Sequence, residues 1–250
     1  MEYDKLLNLG TELGYQLMYS GAEIYRVEES VFRLLCAYGL QPQVFAIPNC
    51  LIVCIQTPDG RPMTGMRRIP PHGTDIELLE ACNDLCRRLC RSTPPVSQAQ
   101  EELDRLSAGH RAHSLKTLLF GYTITSAFFA AFFGGGLPDA LCAALCGLAV
   151  GAWMLHFSKS AHVGGFFKTL IGAAIASLMA LLFTELWPQG NLYAVTIGTL
   201  MVLVPGMALT NAMREVMAGD ILSGLNRTAD SILTAVAISL GVLLSLTIHL

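Results

Sequence analysis

Asn211, Arg214, Glu215, Asp220 and Arg227 fall within one short polar stretch, NAMREVMAGDILSGLNR, directly after an apolar run interrupted at Pro205-Gly206. A guanidinium grips a carboxylate through a planar fork, and a neighbouring carboxylate can hold an ammonium or a proton. That combination suits a small anionic or zwitterionic solute. Helical spacing puts Met207, Asn211, Arg214 and Ala218 on one stripe with Glu215 beside it, and Asp220, Ser223 and Arg227 on another. Pro205 has no N–H for the carbonyl of Met201 and its ring crowds that carbonyl, so a helix here must bend or break. In lipid, freed backbone groups persist only inside protein or against water, which makes the break a candidate cavity. A ligand carboxylate would meet Arg214 and the N–H groups opening the second half-helix, and Glu215, Asp220 or Asp230 would carry the proton. The plainer alternative is a solvated loop helix over residues 211–227 whose charges pair with one another.

A second polar cluster, SGAEIYRVEES, spans Ser20 to Ser30 and leads into a helix whose buried stripe is Ile24, Val27, Val31, Leu34 or Leu35, and Tyr38, with Gly39 ending it. Glu23, Arg26, Glu28 and Arg33 lie off that stripe. They read first as charge neighbours on a helix surface, worth a few tenths of a kcal/mol per pair. Contact with a ligand or with the membrane portion is the alternative.

The elements that must hold these clusters divide sharply. Residues 1–114 contain 11 of the 16 Lys+Arg and 14 of the 19 Asp+Glu; residues 115–250 contain five of each. The first part has a soluble composition and the second a membrane-like one. A net charge of -3 gives no reason to expect nucleic acid, and Glu2, Asp4 and Glu12 speak against a signal peptide. In the first part, a helix over Tyr3 to Ser20 carries Leu6, Leu9, Leu13 and Leu17, with Gly10 and Gly14 leaving a flank for close packing. Val44–Ile47, Leu51–Thr57 and Met63–Ile69 are β-prone, the last two forming a hairpin through PDGRP. Thr74 and Glu77 suggest a capping box for a helix to about Arg91, and Ser97 with Gln100 a second for the next helix. The result is an N-terminal soluble α+β domain over 1–114. Cys82, Cys86 and Cys90 repeat every four residues and read as thiols filling a helix face; no zinc knuckle, catalytic signature or ATP-binding motif occurs, so no metal, cofactor or catalytic residue is expected. His72, His110 and His113 have no acidic or thiol partners near them in sequence.

The second part reads as a multi-pass α-helical membrane protein with five spans, at about 115–133, 138–157, 164–186, 192–210 and 231–248. His110, Arg111, Lys116, Lys159, Lys168, Arg214 and Arg227 fall on one side of this arrangement, whereas the first and third connections carry no Lys or Arg. The positive-inside rule makes that side cytoplasmic, with the N-terminal domain inside and the C-terminus outside. Gly147 and Gly151 permit close helix approach, within the chain or between copies. Five spans around a polar segment are thin, so burial against another membrane subunit or a homo-oligomer is expected.

SGAEIYRVEES at 20–30, the PDGRP turn, the five spans and PGMALTNAMREVMAGDILSGLNR at 205–227 resemble the N-terminal component of the bacterial threonine/serine exporter family over nearly the full chain. The family-like positions are Ser20, Gly21, Glu23, Arg26, Val27 and Glu28, and Pro205, Gly206, Asn211, Arg214, Gly219, Asp220, Ser223, Gly224 and Arg227. Some members fuse this unit to a second small membrane domain; this chain ends after its last span and resembles the split form. The resemblance implies a second small multi-span partner and gradient-driven export of threonine, serine or a dicarboxylate such as succinate across the bacterial inner membrane. The rival reading is a membrane-anchored enzyme or ligand sensor with Glu23, Arg26, Glu28 and the cysteines around a pocket of the N-terminal domain.

Overall fold

A computed structural model describes residues 2–70, 73–109, 113–157 and 164–249. His72, His110, Arg111 and Lys159 lie outside them. The chain divides into two compact units, one of Met1–Arg111 with Thr210–Arg227, the other of Ala112–Leu209 with Thr228–Leu250.

The first unit is built on α1 (Glu2–Tyr19), which touches α2 (Ile24–Ala37), α3 (Ile76–Ser92), α4 (Val96–Gly109) and two strands. Leu6, Leu9, Leu13 and Leu17 recur at three- and four-residue steps, so they share one face, and all four are buried. The glycine flank expected on α1 is taken by Leu35 and Val31 of α2 and by Leu51. In α2 both Leu34 and Leu35 are buried beside Ile24, Val27 and Val31, and Gly39 takes a left-handed φ of +82°. The expected hairpin is part of a three-stranded antiparallel meander, β1 (Gln43–Ile47), β2 (Cys50–Gln56) and β3 (Pro62–Arg68). Along β2, Leu51, Val53 and Ile55 alternate inward, as a half-buried strand requires.

Two helix starts differ from expectation. The cap of α3 is Asp75, whose side chain accepts from the N–H of Leu78, instead of a Thr74–Glu77 box. Helix α4 opens at Val96, with the Pro95 carbonyl accepting from Gln98 and Ala99, which leaves Ser97 inside the first turn and unable to cap. Cys82 and Cys86 are buried on the inner face of α3, as the four-residue repeat suggested.

The second unit contains α5 (Leu115–Phe132), α6 (Leu137–Phe157), α7 (Gly165–Leu186) and α8 (Leu192–Leu200). Among the described residues, four helices are long and apolar enough to cross a membrane: α5, α6, α7 and α10 (Ile221–His249). The stretch anticipated as one continuous span over 192–210 is divided. Helix α8 has nine residues, roughly 14 Å at 1.5 Å per residue, too short for a bilayer by itself. After a turn over Met201–Leu203 the chain re-enters α9 (Gly206–Met217), with the Pro205 carbonyl accepting from Leu209 at 3.0 Å. The break expected at Pro205 is therefore present.

Small residues set the packing here. A Cβ on Gly147 would overlap Ser126, and one on Gly151 would lie 2.8 Å from Tyr122. The Gly147/Gly151 pair thus serves α5–α6 packing inside the chain. Asp139 is buried and bonded at both oxygens, by the N–H of Gly136 at 2.7 Å and that of Asn191 at 2.8 Å. It fastens the first connection to the third, so these two lie on one side.

Candidate functional site

Within the first unit, residues 210–227 form a tight helical hairpin. Helix α9 ends where Gly219 takes φ +94°, a conformation that side chains resist, and the N–H of Asp220 closes back on the carbonyl of Glu215 at 2.9 Å. The Asp220 side chain then caps α10 through the N–H of Ser223 at 3.3 Å. Gly224 lets the two helices touch, since a Cβ there would stand 2.9 Å from the carbonyl oxygen of Ala212 and 3.0 Å from the amide nitrogen of Val216.

This hairpin meets the Ser20–Glu23 turn between α1 and α2. Gly21 holds φ +90° there, and the carbonyl of Ser20 accepts from Asp75 at 3.0 Å. Glu23 sits at the cap position of α2 with extended backbone but does not cap its own helix. Its carboxylate spans outward, one oxygen to Arg214 Nη1 at 3.2 Å and the other to Arg26 Nη1 at 3.3 Å. The vacant cap is filled across 191 residues of chain: the N–H of Ile24 donates to Glu215 Oε1 at 3.3 Å. Arg227 Nε pairs with the same oxygen at 3.1 Å, and its Nη2 donates to the carbonyl of Ala22 at 3.0 Å. A carboxylate at a helix N-terminus gains from the exposed N–H groups and the dipole.

The structure therefore joins Glu23, Arg26, Arg214, Glu215 and Arg227 in one network. Glu23 is 4% exposed and so is not a surface pair, which corrects the leading reading of that cluster. The neighbouring Glu28 accepts from the N–H of Ala46 at 2.7 Å, tying α2 to β1. Ser20 turns its hydroxyl to the Leu17 carbonyl, and Asp220 serves as a cap. Asn211 is half-buried one turn ahead of Glu215. Pro205 and Gly206 act through the backbone by breaking the chain and opening α9.

Two buried side-chain oxygens here, Glu215 Oε2 and Ser223 Oγ, have no hydrogen-bond partner among the described residues. Burial is the largest influence on Glu215 and holds its carboxyl above the ordinary range; Arg227 and the Ile24 N–H pull the other way, while Asp220 and Glu23 add to the rise. Burial also pushes Glu23 up, but its hydrogen bonds and the charges of Arg26 and Arg214 outweigh that and keep it below the ordinary range. Glu28 is raised, first by burial and then by the charge of Asp220. Two adjacent carboxyls are thus driven apart, one kept ionised and one made easier to protonate.

The meeting of these motifs was missed because it joins segments far apart in sequence. A signal was nonetheless present: α2 begins without Ser, Thr, Asp or Asn at its cap, so its first N–H groups need an acceptor from elsewhere.

Residues 8–249 match the family described as "Putative threonine/serine exporter". A Klebsiella aerogenes protein named "Probable succinate transporter subunit YjjP" is 24% identical over 236 residues, covering 92% of this chain and 89% of its own length. No solved structure matches the chain significantly. Both polar motifs of the network fall inside the matched region, alongside apolar helices fit to span a bilayer, and this multi-pass membrane protein belongs to the threonine/serine exporter family.

Proposed function

We propose that the chain is a membrane subunit of a secondary exporter of small carboxylate-bearing metabolites, threonine or serine or a dicarboxylate such as succinate, working with a second small multi-span subunit. The family supports export, and the relative's name supports both a dicarboxylate and a subunit role. In this reading α8, the Met201–Pro205 turn and the start of α9 make a fifth, broken crossing. Residues 1–114 face the cytoplasm and the C-terminus lies outside the cell membrane, consistent with the distribution of Lys and Arg.

One observation carries the mechanism: Glu215 is fully buried with one oxygen satisfied twice and the other not at all. Such a carboxylate is a natural proton carrier, because protonating the vacant oxygen removes a buried charge. Arg214, whose side chain is 60% exposed, holds Glu23 as an exchangeable anion. A substrate carboxylate displaces Glu23 from that guanidinium, and proton loss or gain at Glu215 tightens or loosens its pair with Arg227. No ATP-binding motif is present in the sequence, so an ion or proton gradient supplies the energy.

The test is efflux from vesicles preloaded with succinate, threonine or serine under an imposed pH gradient, with this chain alone and with the neighbouring membrane protein. Gradient-dependent efflux of one substrate by the pair, lost in Arg214→Ala at unchanged abundance, is the expected result. Efflux that ignores the gradient, or persists in Arg214→Ala, overturns the mechanism.

A further inference from the structure

A groove of about 420 Å³ runs between α2 and α3 on the first unit. That is an ordinary size for a ligand pocket, which usually falls between roughly 300 and 1,000 Å³. Its walls gather four arginines, Arg26 and Arg33 from α2 with Arg87 and Arg91 from α3, against a single acidic side chain, Glu29. The chain as a whole carries a net charge of -3, so this concentration runs against the average. Part of the charge is neutralised locally: Arg33 pairs with Glu29, Arg87 with Asp84 at 3.5 Å and Arg26 with Glu23 at 3.3 Å. Arg91 has no ion pair among the described residues.

The lining between the arginines favours an oxyanion as well. Ser30 and Asn83 supply polar groups, and Cys86 and Cys90 complete the wall. Burial, reinforced by Cys90, pushes the Cys86 thiol up to about 12, so it adds no negative charge near neutral pH. Its Sγ donates to the Ser30 carbonyl at 3.6 Å. Guanidinium forks facing one another across a groove fit carboxylate or phosphate oxygens better than a halide, because they donate paired parallel hydrogen bonds.

We propose that the groove between α2 and α3 binds a small dianion through carboxylate or phosphate oxygens, at a site distinct from Arg214 and Glu215. Arg26 belongs to both places, since it lines the groove and pairs with Glu23. An anion in the groove competes for Arg26 and weakens its hold on Glu23, which passes occupancy on to the Glu23–Arg214 pair. The site is regulatory, reporting the concentration of an anion on the side of the membrane that the N-terminal domain faces.

The experiment is isothermal titration of the purified full-length protein in detergent with succinate and, separately, with inorganic phosphate, at constant ionic strength in chloride. Heat above the chloride background is expected from one or both, and which one responds identifies the carboxylate or the phosphate as the natural group. The double variant Arg33→Gln/Arg91→Gln should weaken that binding roughly a hundredfold, about tenfold per guanidinium removed. Arg91→Gln alone, at an exposed position with no ion pair among the described residues, should weaken it about tenfold, which covers the case where the double variant misfolds. Arg105→Gln, on α4 and outside the groove's lining, should leave it intact. No binding above chloride, or binding unmoved by Arg91→Gln, overturns the proposal; binding lost in Arg214→Ala but not in Arg91→Gln would place the anion in the network instead.

Discussion

Asp139 in the second unit and Glu215 in the first are both buried carboxylates, and they are treated in opposite ways. Each oxygen of Asp139 receives one backbone N–H, from Gly136 and from Asn191. Glu215 has both its partners on Oε1, and Oε2 is buried with none. A fully satisfied carboxylate is a fastener that gains nothing from a proton. A half-satisfied one carries an unresolved desolvation cost that a proton relieves. The contrast separates a fully bonded acid from one with an unmet oxygen, which is the property the proposed proton carrier needs.

The comparison breaks first at Glu215 itself. Replacing it by Ala leaves Arg227 without its counter-charge and α2 without its cap, and should cost about 3–5 kcal/mol, read as a lowered unfolding midpoint together with lost efflux. Glu215→Gln keeps an acceptor for Ile24 and should fold, but with transport no longer sensitive to pH. A variant that folds and still shows the pH dependence of the parent would make Glu215 another fastener.

Asp139→Asn tests the other side. One of its two acceptors becomes a donor facing an N–H, so the second unit should lose about 1–3 kcal/mol with no change in the pH profile of efflux. A shifted profile would erase the distinction. Gly147→Ala should cost a similar amount, about 1–3 kcal/mol, since the added methyl overlaps Ser126; crosslinking that showed loss of a dimer at unchanged monomer stability would move the motif to an interface.

Acidity sharpens the comparison further. The Glu23 carboxyl is lowered by folding, so its contribution to stability is present above its unfolded value and disappears as pH falls through the folded one. Glu215 is raised, so its contribution is present below the unfolded value and is lost as pH rises through the folded one. Unfolding midpoints measured against pH should therefore lose their acid limb in Glu23→Gln and their higher limb in Glu215→Gln. The smallest stability change belongs to Arg214→Ala, under about 1 kcal/mol because that guanidinium is mostly solvated, even though efflux should vanish.

Much of this architecture follows from local pattern. Leucines at three- and four-residue steps locate α1, alternation locates β2, and Pro205 announces a discontinuity because no continuous helix can accommodate it. Local rules fail where two signals compete. Thr74 and Asp75 both qualify as caps by residue type, and the helix starts one residue later than the box requires, on Asp75. The 192–210 run has the hydropathy of a span, but the backbone consequences of Pro205 reach back to Met201 and leave α8 short. The site itself was half legible. Arginines and carboxylates of the right type were visible in both motifs, but Glu23 is polar, off the apolar stripe and nonetheless buried. Arg26 covers one of its oxygens from the next turn, but the other is met by Arg214, and pairwise proximity across 191 residues leaves no trace in periodicity.

The hairpin over Thr210–Arg227 belongs to the same unit as the first 111 residues, which has a consequence for biosynthesis. The amide of Ile24 leaves the ribosome 191 residues before the carboxylate that caps it, and the Ala22 carbonyl 205 residues before Arg227. At synthesis rates of about 5–20 residues per second, the amino-terminal domain waits roughly 10–40 s for its last two helical segments, while the apolar helices α5 to α8 are delivered in between. A chain interrupted anywhere before Glu215 is thus incomplete at both ends, and a fragment cut at the apparent domain boundary leaves α2 uncapped and Glu23 without Arg214.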